Sequence, residues 1–225
     1  MAQEQSVKWL KDNSLTIVLS VATLATLAGM LFTGLSVHNE DLARHHLPAV
    51  ALSSYLVSGH FLSAVFENWE SEFLQMSAYV VLTAFLFQRG SAESRDPDEK
   101  TQEDEDPARH AHDPDAPLPV RHGGVPRTLY SYSLGIVLFA LFLVSFALHL
   151  QNSAAAEAAE AALHGQAAPG IRQHLASAQF WFESFQNWQS EFMSTAVLVV
   201  LSIFLRHKGS PESKPVAAPH SQTGS

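Results

Sequence analysis

Two uninterrupted apolar runs constrain the fold of this chain more than any other feature. The first extends from Ser14 to Leu35 and the second from Leu129 to Leu150; each has 22 residues, and His149 is the one side chain among them that titrates near neutral pH. As helices rising about 1.5 Å per residue, both would reach about 33 Å, longer than the roughly 30 Å hydrocarbon core of a bilayer. We therefore expect both runs to be transmembrane helices.

Two shorter apolar segments predict two further spans. Residues 73–87 and 192–205 contain 15 and 14 residues, and both follow aromatic-rich stretches. Together the four segments predict an all-α protein with transmembrane helices at about 14–35, 62–88, 129–150 and 180–205. A signal peptide is the alternative for the first run, but that run is longer than an ordinary signal-peptide core and no clear small-x-small cleavage site follows it before Glu40.

The basic residues predict the orientation of these helices. Eleven of the 13 Lys and Arg lie in the N-terminal segment, the central connection or the C-terminal tail, and Arg44 and Arg172 occupy the other two loops. Because basic residues concentrate on the cytoplasmic side of membrane proteins, we expect a multi-pass protein whose N- and C-termini are both cytoplasmic.

The polar segments predict disorder and exclude some functions. Residues 90–127 contain ten acids, five Lys or Arg and six prolines, so they cannot bury enough apolar surface to offset their ordering entropy. We expect a disordered acidic cytoplasmic linker there and a disordered tail at 209–225. The net charge of −9 argues against a nucleic-acid partner, and the lack of cysteine excludes disulfides and thiolate metal sites.

An internal repeat organises the chain. A shift of 119 residues aligns two copies of one motif: Phe66-x-Asn68-Trp69-x-Ser71-Glu72-Phe73 and Phe185-x-Asn187-Trp188-x-Ser190-Glu191-Phe192. Over residues 66–96 the shift gives 15 identities in 31 without a gap, including a Gly-Ser-x-Glu-Ser motif at 90–94. We interpret residues 1–89 and 128–208 as two copies of a transmembrane hairpin. Two spans per copy return the chain to its starting side, which predicts parallel copies related by a pseudo-twofold axis along the membrane normal.

These motifs are similar to those of a bacterial integral membrane protein family classed as a domain of unknown function. The likeness is carried by Asn-Trp-x-Ser-Glu-Phe at 68–73 and 187–192, and it runs through both hairpins, hence most of the chain. The resemblance implies a bacterial integral membrane protein, and we expect it in the inner membrane. It supplies no mechanism and no catalytic residues.

Two carboxylates lie at membrane depth in the predicted helices. Glu72 and Glu191 precede the ends of their apolar runs by 15 and 14 residues, about 21–22 Å of helix. Charged groups at that depth are costly and are candidates for function, whereas the structural alternative is hydrogen bonding between helices. The full set comprises four intramembrane polar candidates and two expected interfacial anchors: Asn68, Glu72, Asn187, Glu191, Trp69 and Trp188.

Histidines near the predicted outer side suggest a second kind of site. Under the 119-residue shift, Asp41 and His45 match Glu160 and His164, so each outer loop has an acid followed four residues later by histidine. Imidazole and carboxylate could bind zinc or copper, but such a pair also stabilises a helix by itself. We keep these four residues as metal candidates only and expect no resident cofactor.

The sequence favours a structural or interaction role over catalysis. It contains no phosphate-binding glycine loop and no Gly-x-Ser-x-Gly nucleophile motif, so we expect an integral membrane protein without enzyme activity. One alternative is a small permease or an ion or proton pathway that uses Glu72 and Glu191, and another is metal binding on the outward side. The expected partner is the lipid bilayer, and pairing with a second copy or with another membrane protein stays open.

Overall fold

A computed structural model describes residues 2–224, with side chains at all of these positions except 2–4, 6 and 102. Over this range the chain contains α-helices and short 3₁₀ turns and no strand, so the all-α prediction is confirmed. The helices are α1 (Ala2–Asp12), α2 (Ser14–Arg44), α3 (Leu52–Leu56), α4 (Gly59–Phe85), α5 (Leu118–His122), α6 (Gly124–Ser131), α7 (Ser133–Leu163), α8 (Ile171–Leu175) and α9 (Ala178–Phe204).

The helix bounds follow the spacing of the sequence identities. Helices α7, α8 and α9 each begin and end 119 residues after α2, α3 and α4, respectively. The starts of α4 and α9 share one cap: the Ser58 hydroxyl accepts from the Phe61 N–H at 3.2 Å, and the Ser177 hydroxyl accepts from the Phe180 N–H at 3.2 Å. A serine at this position satisfies one of the unpaired donors at a helix start. Equivalent residues therefore set equivalent helix starts.

The repeated Gly-Ser-x-Glu-Ser motif forms the same loop after α4 and after α9. The Ser94 hydroxyl accepts from the Gln88 N–H at 2.8 Å, and the Ser213 hydroxyl accepts from the His207 N–H at 2.9 Å. The glycine that opens each motif has a positive φ, 84° in the first copy and 86° in the second, a conformation that a Cβ disfavours. Turn geometry therefore accounts for this motif.

Two helices are long and apolar enough to cross a membrane. They are α2 and α7, with 31 residues each, and no other helix of the described residues passes the same criterion, whereas the sequence predicted four spans. Helices α4 and α9 have 27 residues each, so length is not the reason. The polar Asn-Trp-x-Ser-Glu segment near the middle of each shortens its apolar part.

The chain divides into two compact units. The first unit comprises the residues up to Ala64 together with Asn152–Pro169, and the second comprises Val65–Gln151 together with the residues from Gly170 onward.

The core of the first unit is built around Tyr55. This side chain is 2% exposed, and its ring lies 5.4 Å from that of His38 and 5.6 Å from that of Phe61. Near it, Gly59 at the start of α4 lies directly against α7, since a Cβ at Gly59 would lie 2.6 Å from the backbone oxygen of Asn152. Within this unit the two helices can therefore approach only because residue 59 has no side chain.

The central segment is not the disordered linker that its composition predicted. It contains two 3₁₀ turns ahead of α5 and α6: Gln102–Asp104 and Pro107–His110. The Asp106 carboxylate accepts from the Ala108 N–H at 2.9 Å. Hydrogen bonds from the Thr101 N–H and the Arg95 guanidinium lower the pKa of Asp104. Aspartate side chains thus order the backbone locally where the sequence provides no apolar core.

The C-terminal tail, for which we also predicted disorder, packs on the segment after α4. Lys214 is 3% exposed, and its ammonium donates to the backbone oxygens of Gly90, of Gln222 at 2.7 Å and of His220 at 3.0 Å. A buried ammonium is tolerated when its three donors all have acceptors. These carbonyls therefore bind Lys214 and hold the tail against the first copy of the loop motif.

Candidate functional site

A buried ionic cluster lies in the second unit, where α4, α7 and α9 meet. It consists of Glu70, His149 and Glu183, one residue from each helix. Glu70 and His149 are 0% exposed, and the Glu183 side chain is 24% exposed. His149 Nδ1 lies 3.0 Å from Glu70 Oε2, and His149 Nε2 lies 3.7 Å from Glu183 Oε2. One imidazole therefore bridges two carboxylates that belong to different helices.

Each carboxylate of the ionic cluster has a further polar partner. The Trp188 indole N–H donates to Glu70 Oε1 at 3.2 Å, and the Gln179 amide donates to Glu183 Oε1 at 2.7 Å. Glu70 thus has a partner at both oxygens, as a fully buried carboxylate requires. On the other side of the imidazole, 3.7 Å is an ion-pair contact and is too long for a hydrogen bond.

The imidazole of the ionic cluster packs against an aromatic group centred on Phe180. The Phe180 ring, which is fully buried, lies 4.9 Å from that of His149, and the rings of Phe146 and His174 each lie 5.5 Å from Phe180. Surroundings of low polarity strengthen interactions between charges and raise the cost of an unpaired charge. The pairing of Glu70 with His149 is therefore a strong constraint on how these helices pack.

The ionic cluster and its neighbourhood contain more acid than base. Glu67, on the same helix as Glu70, is half-buried and accepts a hydrogen bond from the Asn187 amide. The imidazole hydrogen-bonds Glu70 through Nδ1, and its Nε2 has no hydrogen-bond partner among the described residues but lies 3.7 Å from the Glu183 carboxylate. The imidazolium, which has an N–H on each nitrogen, is the form that suits a carboxylate on both sides. With the imidazolium between two ionised carboxylates, the ionic cluster has a net charge of −1.

The predicted intramembrane residues lie mostly outside this cluster. Asn68 and Glu72 are exposed, whereas Asn187 and Glu191 are half-buried. Glu72 and Glu191 are close enough for their charges to interact, and they form an acidic pair separate from the ionic cluster. Residues two apart on a helix differ by about 200° in direction, so Glu70 projects from nearly the opposite face of α4.

The two tryptophans of the repeated motif have different surroundings. Trp69 is 40% exposed, and its role as an interfacial anchor stays a prediction. Trp188 is half-buried, and its indole binds Glu70 as described above. From the sequence we predicted that Trp188 is an interfacial anchor, and that prediction did not include this hydrogen bond.

The predicted metal candidates do not assemble into a metal site. The His45 and His164 rings, at equivalent positions of the repeat, lie 5.6 Å apart in the edge-to-face arrangement. Among the residues that the structure describes, no group of three or more His, Cys, Asp or Glu side chains could hold a metal ion. Asp41 and Glu160 therefore complete no ligand set with these histidines.

Sequence reasoning missed the three residues of the ionic cluster. The 119-residue shift pairs Glu70 with Gln189 and His149 with Met30, so the search for features shared by both repeats passed over them. One signal was present: His149 is the residue of the second long apolar run whose side chain titrates near neutral pH. An ionisable residue in such a run is a candidate on physical grounds whether or not the repeat preserves it.

The fold and the site define an all-helical protein with two helices able to cross a membrane and a buried ionic cluster. Comparison with family models matches residues 6–225, and the chain belongs to the family described as Domain of unknown function (DUF6766). This match confirms the expected membership of a family of unknown function. No curated protein and no solved structure matched the chain.

Proposed function

We propose that this chain is a four-span protein of the bacterial inner membrane, with both termini cytoplasmic and a structural or interaction role rather than an enzymatic one. The observation that carries the proposal is the exposure of α2: in its most apolar window of 18 residues, 0% is buried. A core helix of a water-soluble protein buries such a surface, whereas lipid tails cover it in a bilayer. The corresponding value for α7 is 17%, and its position far from the N-terminus does not fit a signal peptide.

The two remaining spans of the proposal are α4 and α9. Each has 27 residues, about 40 Å of helix and enough for a bilayer core. Polar side chains inside a membrane are tolerated where neighbouring helices bind them. Glu70 meets this condition through His149 and Trp188, and the Gln75 amide donates to the Thr195 hydroxyl at 2.6 Å.

The ionic cluster supports a structural role. It joins α4 to α7 and α9 within the second unit, through one imidazole and one indole that both contact Glu70. An ionic contact between three helices fixes their register, because sliding any one of them would leave a buried charge without a partner. We assign to the ionic cluster the task of holding these helices together in the bilayer.

Reporter fusions test the four-span arrangement. A reporter that is active only in the cytoplasm should be active when fused after Lys100 or Ser225 and inactive after His46 or Gly165. The reason is that eleven of the 13 basic residues lie in the segments that contain or adjoin the first two fusion points, and basic residues concentrate on the cytoplasmic side. A reporter active only outside the cytoplasm should give the opposite pattern at the same four positions and serves as the control. Cytoplasmic activity after His46 or Gly165 would contradict the arrangement.

An ion or proton pathway through Glu72 and Glu191 is the second candidate function. The observation that favours it is the electrostatic interaction of these two equivalent carboxylates. Like charges placed together bind a proton or a cation more readily than either does alone. Neither acid is fully buried, however, and neither contacts the imidazole of the ionic cluster.

Replacing both acids by glutamine separates the two functions. An amide keeps the hydrogen-bonding capacity of the carboxylate and removes its charge, so we expect Glu72→Gln/Glu191→Gln to be at least as thermally stable as the wild type in detergent. We also expect no change in ion or proton flux through liposomes that contain the protein. If the wild-type protein gave a flux above that of protein-free liposomes and the double variant did not, the ion or proton pathway would be the better assignment of function.

A further inference from the structure

Of the three residues of the ionic cluster, Glu183 is the one whose side chain reaches the protein surface. Glu183 is 24% exposed, whereas His149 and Glu70 are 0% exposed. A proton that enters from solution therefore reaches Glu183 first, and the imidazole separates it from Glu70. This order, an accessible carboxylate, an imidazole and a buried carboxylate, is that of a short proton relay.

Trp188 blocks proton transfer beyond Glu70, the buried carboxylate of the relay. Its indole N–H donates to Glu70 Oε1 at 3.2 Å. An indole N–H is a donor only and has no lone pair available to accept a proton. A proton on Glu70 therefore cannot be passed to Trp188, and it leaves Glu70 only through His149 and Glu183.

We propose that Glu70, His149 and Glu183 form a one-sided proton-binding site, in which a proton taken up at Glu183 ends with Glu70 as a neutral carboxylic acid. The ligand is H⁺, and the site stores one proton rather than conducting it. The proposal goes beyond the structural role assigned above.

Proton uptake can be written so that charge and protons balance. In the starting state an imidazolium lies between two carboxylates, and the net charge is −1. A proton from solution adds to Glu183, which brings the net charge to zero. The imidazolium then passes its Nδ1 proton to Glu70 Oε2, and the products are two carboxylic acids and a neutral imidazole that keeps its Nε2 proton. The second step leaves the charge at zero and places no isolated charge in the buried region.

Three titratable side chains act on His149: Glu67 and Glu70 from α4 and Glu183 from α9. His174 from α8 interacts with Glu183 and packs against the Phe180 ring. The three acids stabilise the imidazolium, and the Asn187 amide binds the Glu67 carboxylate. The excess of acid over base gives the starting state its negative charge, which favours the uptake of one proton.

The distance between Glu183 and His149 determines whether a proton can pass between them. At 3.7 Å, Glu183 Oε2 must move about 1 Å toward Nε2 to form a hydrogen bond of ordinary length. The Gln179 amide binds the other oxygen of the same carboxylate. Because Glu183 is partly exposed, this movement needs no rearrangement of the buried residues.

The indole N–H resonance of Trp188 reports the protonation of Glu70 directly. A hydrogen bond to a carboxylate is stronger than one to a neutral acid, so the Trp188 resonance should move upfield as the pH falls, along a single-proton titration curve. Trp181 provides an internal control, because its indole donates at 2.9 Å to the backbone oxygen of Leu175, which does not titrate. The measurement uses the ¹⁵N-labelled full-length protein in detergent, and a Trp188→Phe variant assigns the resonance.

Three variants make the test decisive. In Glu70→Gln the Trp188 resonance should not titrate, and in Glu183→Gln its transition should shift to lower pH, because uptake would then leave a net positive charge in the buried region. Glu72→Gln, two residues away on an exposed face of α4, should leave the transition unchanged. A wild-type resonance that does not move across the pH range in which the protein stays folded would overturn the proposal. A transition that persists in Glu70→Gln, or that is unaltered in Glu183→Gln, would overturn it equally.

Discussion

Replacing His149 by methionine is expected to lower the free energy of unfolding by about 3–5 kcal/mol, the usual cost of removing one partner of a buried ion pair. Glu70 is 0% exposed, and in this variant it would keep the Trp188 hydrogen bond but lose its cation. Methionine is apolar and of similar size, so the loss would come from the unpaired charge rather than from a cavity. Chemical denaturation in detergent micelles, followed by circular dichroism, measures it.

The repeat itself provides the matched control for this prediction. At the positions equivalent to Glu70 and His149 the chain carries Gln189 and Met30, so Glu70→Gln/His149→Met installs the two residues found at the equivalent positions of the repeat. The double variant leaves neither Glu70 nor His149 charged, and the glutamine oxygen can still accept from Trp188. It should recover most of the stability lost in His149→Met, a coupling that a double-mutant cycle quantifies. A double variant no more stable than the single one would contradict the assignment of the loss to an unpaired charge.

The helices were predictable from the sequence because their causes are local. Long apolar runs and serine caps act over a few residues, and both recur at the spacing of 119, as do the bounds of α2 and α7. The extent of the helices was less predictable. Helix α2 continues to Arg44 although its apolar run ends at Leu35, since polar residues are compatible with a helix once it leaves the apolar region.

The ionic cluster was not predictable from the repeat because its residues are unique to one copy. The repeat directed attention to Glu72 and Glu191, which both copies share, and away from Glu70, which becomes Gln189. A contact between α4, α7 and α9 depends on how three separate helices pack. Neither the spacing within one helix nor an identity between the copies contains that information. Glu70 and Glu72 are two residues apart, and only the packing of the helices shows that the face of α4 with Glu70 is the buried one.

In the central segment, sequence composition predicted less order than the structure shows. Its composition correctly excludes an apolar core, yet hydrogen bonds such as those to Asp104 and Asp106 order short turns. The Lys214 ammonium likewise binds the backbone carbonyl of Gly90, which lies 124 residues away in sequence. Averages over composition predict whether a segment can bury apolar surface and do not predict such individual bonds.

The second large effect is expected at Gly59, where α4 lies against α7 in the first unit. A methyl group there would lie 2.6 Å from the backbone oxygen of Asn152 and 2.8 Å from the backbone nitrogen of Ala156. Backbone atoms of a helix cannot move aside as a flexible side chain can, so Gly59→Ala should lower the free energy of unfolding by about 1–3 kcal/mol. Gly59→Val should lower it further, and thermal denaturation in detergent would rank the two.

Gly29→Ala in α2 is the control for this series, since nothing lies within 4 Å of the added methyl group. Alanine favours a helix over glycine by about 1 kcal/mol, so this variant should be as stable as the wild type or more stable. The position equivalent to Gly59 is Ala178, at the start of α9, which shows that a methyl group is compatible with the helix start itself. A loss confined to residue 59 would therefore come from the close approach of α7. A Gly59→Ala variant as stable as Gly29→Ala would show that the two helices do not make this contact.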